Sequence, residues 1–211
     1  MKNNLKIKTA FTLAEVLIVL AVIGVIAVLT IPTLLQSTNE QELKTAFKKQ
    51  YSVLSQATAR LVADSGGTLK GDAKYIDRYA KYLNATKICQ PEEAFGNCWH
   101  KLGEFKFLNG ISVTGYSEES GMILSNGTLL FIDWRSSDCS QVPFGIPVCA
   151  VMHVDVNGFK GPNMIGKDIY KMYLFETTIK PVGIPEDNVN PNADCSSAGR
   201  GYSCSYKVLT E

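Results

Sequence analysis

Glu15 is the one charged side chain in the stretch 11–35, which reads FTLAEVLIVLAVIGVIAVLTIPTLL. A charge at the centre of a bilayer segment costs roughly 2.5–3.5 kcal/mol, and less near the interface, so such a residue usually has a partner or a task. Reaching the lipid headgroups is its plainest use. A sharper one follows if the chain is cut before Phe11. The cut makes an α-amine four residues from the carboxylate. Within one helix the two are poorly placed, because the amine heads the helix while Glu15 points sideways. Between neighbouring helices offset along a common axis they can meet. A buried pair of this kind adds little net stability but strongly penalises a wrong register, so Glu15 would act as a ruler for assembly.

The other residues with chemistry to offer all lie beyond residue 85. Six cysteines fall as three close pairs, Cys89/Cys98, Cys139/Cys149 and Cys195/Cys204. None has zinc-finger spacing, and His100 and His153, the only histidines, stand far apart. Disulfides in an exported domain fit the pattern better. Many connectivities are open, and three local loops are the expectation because short closures form most readily. Each bond would add on the order of 2–3 kcal/mol. Asp155, Asn157 and Asp168 could offer oxygens to calcium, but Phe159 and Lys160 stand where further ligands would be needed. Local turn bonds explain the same residues, and no metal or cofactor is expected. His153 shares a strand face with Asp155, yet no nucleophile elbow accompanies them. A structural histidine, and no enzyme, is the reading. Glu92-Glu93 and Glu118-Glu119 read as solvated loop charges. The net charge is +1 and no basic stripe alternates with aromatics, so nucleic acid is not an expected partner.

These residues need elements to hold them. The apolar stretch would span roughly 37 Å as a helix, enough for a hydrocarbon core of ~30 Å. Lys2, Lys6 and Lys8 precede it, which places the short N-terminus in the cytoplasm and everything after residue 35 outside it. A secretory signal peptide would have a shorter apolar core and a small-residue cleavage site after it. A plain single-pass anchor fits everything except Glu15. Pro32 and Gly24 weaken the helix, by about 3 and about 1 kcal/mol, and mark a stretch that can kink or unwind. Leu43, Phe47, Leu54, Leu61 and Val62 continue a helical stripe through 39–64, filled by Ala46, Tyr51 and Ala57. Asp64-Ser65-Gly66-Gly67 is a stop signal. One helix from about 11 to 64 is therefore expected, its second half lying on a head.

The head, 65–211, reads as α+β. A short helix is expected within Lys70–Asn84, with Tyr75, Ile76, Tyr79, Tyr82 and Leu83 inward, then a looped connection from Cys89 to Cys98. Strands are expected at Ile111–Tyr116, Gly121–Ser125, Thr128–Trp134, Cys149–Val156 and Ile169–Thr177. Asn126-Gly127 between two of them signals a hairpin whose two turn residues take positive φ. Pro181–Gly201 reads as a loop held by Cys195 and Cys204, and Tyr202–Leu209 as a returning edge strand.

Lys8-Thr9-Ala10-Phe11-Thr12-Leu13-Ala14-Glu15 resembles the processing motif of type IV prepilins and type II secretion pseudopilins. The likeness covers residues 6–35. It implies a leader at 1–10, cleavage between Ala10 and Phe11 by a prepilin peptidase, and N-methylation of Phe11. It also matches Glu15, Gly24 and Pro32 to the family's assembly glutamate, helix glycine and helix proline. The family usually has glycine before the cut, and this chain has the comparably small Ala10. What the resemblance implies is a pilin-like α+β fold: a filament-core helix at 11–35, its amphipathic continuation at 36–64, and an exported head. Its implied partners are copies of itself and other pilin-like subunits, an inner-membrane assembly platform and membrane lipid. The implied function is a structural subunit of a secretion pseudopilus or type IV pilus. A minor, tip-located ligand-binding or adhesion subunit is the alternative.

Overall fold

The computed structural model describes residues 12–71, 74–116, 119–133 and 135–211, without the side chains of Thr33 and Gln36. Ala10, Phe11, Glu118 and Trp134 lie outside the described residues. The chain divides into two compact units, Met1–Gln41 and Glu42–Glu211. Helix α1, Leu13–Asp64, contributes to both.

In the first unit every large apolar side chain described is exposed, from Leu13 to Leu35. This is the one helix among the described residues long and apolar enough to cross a membrane. It runs on through Pro32. On either side of that proline the hydroxyls of Thr30 and Thr38 donate to the carbonyls of Ile26 and Leu34, 2.9 Å each. Hydroxyls in an apolar stretch are thereby satisfied within the helix itself.

In the second unit the same helix buries Leu43, Phe47, Gln50, Leu54, Ala57 and Leu61. Their alternating steps of four and three keep one face inward. Phe47 stacks on Tyr170 with ring centroids 4.0 Å apart. The helix ends in a Schellman motif: Gly67 N–H donates to Val62 C=O at 2.9 Å and Gly66 N–H to Ala63 C=O at 3.3 Å. Gly66 has φ +76°, which a side chain would disfavour.

Six antiparallel strands follow in sequence order: β1 Ala85–Cys89, β2 Ser120–Leu124, β3 Leu129–Asp133, β4 Ala150–Asp155, β5 Ile169–Leu174 and β6 Ile179–Pro181. Helix α2, Tyr75–Tyr79, precedes them; α3, Pro191–Asp194, and α4, Cys204–Thr210, end the chain. One sheet face packs on α1 through Met122, Leu130, Ile132, Met152 and Met172. The other carries Phe131, Val151, Ile169 and Tyr173 under a cover of loops that supplies Trp99, Phe105, Val148 and Tyr202. Both faces are thus buried, which is why β4 and β5 are buried at every position instead of alternating.

Several expectations need correction. Ile111–Tyr116 is not a strand. Val113 N–H bonds Phe105 C=O and Phe107 N–H bonds Ile111 C=O, a tight loop with only a Lys106–Ser112 bridge. Tyr202–Leu209 does not return as an edge strand. Residues 204–210 form α4, with Cys204, Ser205 and Val208 inward, while β6 takes the sheet edge. The connection from Cys89 to Cys98 is a loop as expected, but the strand that leads into it, β1, is not expected, because exposed Thr86 and Lys87 disguise it. The hairpin at Asn126-Gly127 has a three-residue loop. Gly127 N–H donates to Leu124 C=O and Leu124 N–H to Thr128 C=O, both 2.9 Å. Only Gly127 takes positive φ, +86°, because the Asn126 side chain accepts the Thr128 N–H and closes a local turn instead. The tail 181–201 is a loop interrupted by α3, which Asn190 caps by accepting the N–H groups of Asn192 and Ala193, with Pro191 in the first turn.

Candidate functional site

Glu15 stands in the first turn of α1, and Thr12 immediately before that helix. The Thr12 N–H and hydroxyl each donate to Glu15 Oε2 at 2.8 Å, and Glu15 N–H donates to Thr12 Oγ1 at 3.3 Å. This is a capping box, T-x-x-E, whose two residues satisfy each other's orphan donors. The spacing is legible in the sequence, but attention to the charge alone passes over it. Within one chain the carboxylate therefore has neutral donors and no cation among the described residues. Gly24 lies on the same helix, and a Cβ added there would meet nothing within 4 Å. Packing inside the chain does not require that glycine. Glu15, Gly24 and Pro32 are not brought together into a site.

The six cysteines form three local disulfides, Cys89–Cys98, Cys139–Cys149 and Cys195–Cys204, and none is free. The first ties the end of β1 to the loop that delivers Trp99. The second closes the loop before β4. The third joins the C-terminal end of α3 to the start of α4.

Between these loops and the sheet lies a row of titratable residues. Register pairs His153 of β4 with Lys171 of β5 and with Phe131 of β3, which puts Asp133 one pleat further along the same face. All four side chains are buried. Asp155, also on that face, does not engage His153. Its Oδ2 lies 2.8 Å from His100 Nε2, and its Oδ1 accepts the Asn157 N–H. Burial pushes the Asp155 carboxyl up to about 6, against the pull of the His100 hydrogen bond. His153 sits edge-on to Trp99, Tyr116 and Phe131, and neither ring nitrogen has a hydrogen bond. Burial, with Lys171 beside it, drives its pKa well below the usual range, so the ring is neutral. The calcium candidates are used as turn residues: Asp168 accepts the N–H groups of Asn163 and Met164, 2.7 Å each. Among the described residues no group of three or more His, Cys, Asp or Glu is placed to hold a metal.

Lys171 opens onto a cavity of about 560 Å³. Its ammonium lies 3.9 Å from the ring centroid of Tyr202 and 4.9 Å from that of Tyr116. No ion pair or hydrogen bond reaches that ammonium from any described residue. Burial lowers its pKa to about 7, although Asp133 and Asp194 pull it upward. Arg200, over the ring of Phe107, stands at the rim, and Asp133 and Phe144 complete the wall. This site escapes a sequence reading built on motifs. Its one visible signal is a lysine at an inward position of the apolar strand Ile169–Leu174. The chain matches no protein-family model, no curated protein and no solved structure.

Proposed function

We propose that the chain is a pilin-like subunit, processed at Ala10–Phe11 and assembled through α1 into a type IV pilus-like or secretion pseudopilus filament. One observation carries this reading. The helix exposes all its large apolar side chains from Leu13 to Leu35 while holding a single carboxylate near its start. A surface that apolar has to be covered by lipid or by other copies of itself, and Glu15 gives those copies a register mark. On this reading the subunit waits in the inner membrane, its disulfide-bonded head outside the cytoplasm. A prepilin peptidase and an assembly platform then act on it. The test is the intact mass of the protein extracted from membranes of a host with a prepilin peptidase. Residues 11–211 plus one methyl group is the expected mass. A chain that still begins at Met1 and forms no filament would overturn the reading.

The Lys171 cavity favours the alternative placement, a minor subunit near the filament tip whose head meets a ligand. Abundance in sheared filaments separates the two: a main subunit dominates them, a tip subunit is scarce.

A further inference from the structure

We propose that the cavity over β3–β5 binds a small hydroxylated carboxylic acid, a sugar acid, with Lys171 at its floor and Arg200 at its rim. The proposal concerns the head alone and holds whether or not the chain polymerises. Lys171 is 3% exposed, and no described carboxylate lies within ion-pair distance of its ammonium, so that only the more distant charges of Asp133 and Asp194 act on it. Burying an unpaired ammonium is costly unless something compensates it. The Tyr202, Tyr116 and Phe144 rings compensate in part, at 3.9, 4.9 and 5.9 Å. A ligand carboxylate would complete the compensation, and the exposed Arg200 guanidinium offers it a second, forked donor.

Two further features narrow the ligand. Asp133, 3% exposed, lines the same cavity and can only accept hydrogen bonds while ionised. A simple aromatic acid brings no hydrogen-bond donor to that carboxylate. A ring bearing several hydroxyls brings donors for Asp133 and acceptors for the Ser112 and Thr114 hydroxyls at the mouth. The C–H face of such a ring suits the aromatic wall. The volume, about 560 Å³, is ample for one sugar ring with its substituents.

The experiment uses the full chain in phosphatidylcholine nanodiscs, free of sugar-based detergent, titrated by calorimetry with glucuronic acid and N-acetylneuraminic acid. Glucose, which lacks the carboxylate, and benzoate, which lacks the hydroxyls, are the comparison probes. A dissociation constant on the order of 1 mM is expected for at least one sugar acid. Glucose and benzoate should bind about tenfold more weakly or not at all. Lys171→Met and Arg200→Gln should each weaken the sugar acid about tenfold. Arg200 is exposed, so its variant reports even if Lys171→Met disturbs the packing. No heat with either sugar acid, equal binding of benzoate, or binding indifferent to Arg200→Gln would each overturn the proposal.

Discussion

Glu15 carries two separable demands at the level of the single residue. As the third helical residue it caps α1 by accepting from Thr12, and glutamine can fill that role. As the register mark of the proposed filament it would also have to be charged. Glu15→Gln should therefore insert normally and keep its first helical turn, yet lose ordered assembly. Glu15→Val should lose both the cap and the assembly. Negative-stain microscopy of filaments grown without wild-type subunit checks this, and normal filaments from the glutamine variant would rule out the register role. Lys171 makes a different demand, on pH. Its folded pKa, about 7, lies below its ordinary 10.5, so the stability it contributes is complete above pH 10.5 and lost as pH falls through 7. Asp155 has the opposite sign. Raised from 3.8 to about 6, it contributes stability that is full below pH 3.8 and lost as pH rises through 6. Lys171→Met should then raise the melting temperature of the head near pH 6 and flatten its rise between pH 7 and 10.5. Near-UV circular dichroism at a series of pH values reads both effects. An undiminished alkaline rise in the variant would show that another group causes it.

At the scale of elements, what could be read in the sequence is what has a period. The stripe from Leu43 to Leu61 repeats at helical spacing, and the strand runs around Met122, Phe131, Met152 and Met172 are bounded by turn residues. Elements without such signals were not legible. Strand β1 is short and half-exposed. Strand β6 has three residues, one of them proline. Helix α4 is built from Tyr206, Val208 and other residues that favour strands in isolation, and only its packing against the sheet makes it a helix. The Lys171 cavity was hidden for a related reason. Nothing local announces that the loop from Ser112 to Tyr116, the tail near Arg200 and β5 converge. Packing also makes the two parts of α1 respond differently to truncation. Phe47 is fully buried against Tyr170, so Phe47→Ala should cost the head about 3–5 kcal/mol. Leu17, 59% exposed in the other unit, should leave head melting unchanged when cut to alanine. Denaturant titration followed by aromatic fluorescence would distinguish them, and equal effects would mean that the units do not unfold separately.

For the molecule as a whole, the two units rest on different physics. The apolar part of α1 is helical, the Thr30 hydroxyl bonds within it, and it needs an apolar medium around its side chains. The head has a core on each sheet face, but the outer one is roofed by loops instead of by a long helix. A loop roof loses much conformational entropy on folding. Cys89–Cys98 lies in that outer core, whereas Cys139–Cys149 belongs to the core under α1, and the three bonds close links of 9, 10 and 9 residues in sequence. By restricting the unfolded chain each should contribute on the order of 2–3 kcal/mol. Together that is comparable to the whole net stability of a typical domain, about 5–15 kcal/mol. Full reduction should therefore melt the head, or bring its transition close to ambient temperature, while the helix in lipid persists. In nanodiscs the near-UV signal of the Trp99 and Tyr173 surroundings should collapse on reduction. Amide exchange should stay slow from Leu13 to Leu35 and become fast through β2–β5. An unchanged head transition under complete reduction would mean that the sheet and α1 hold the roof without the bonds. The cysteines would then not be needed for the head's stability.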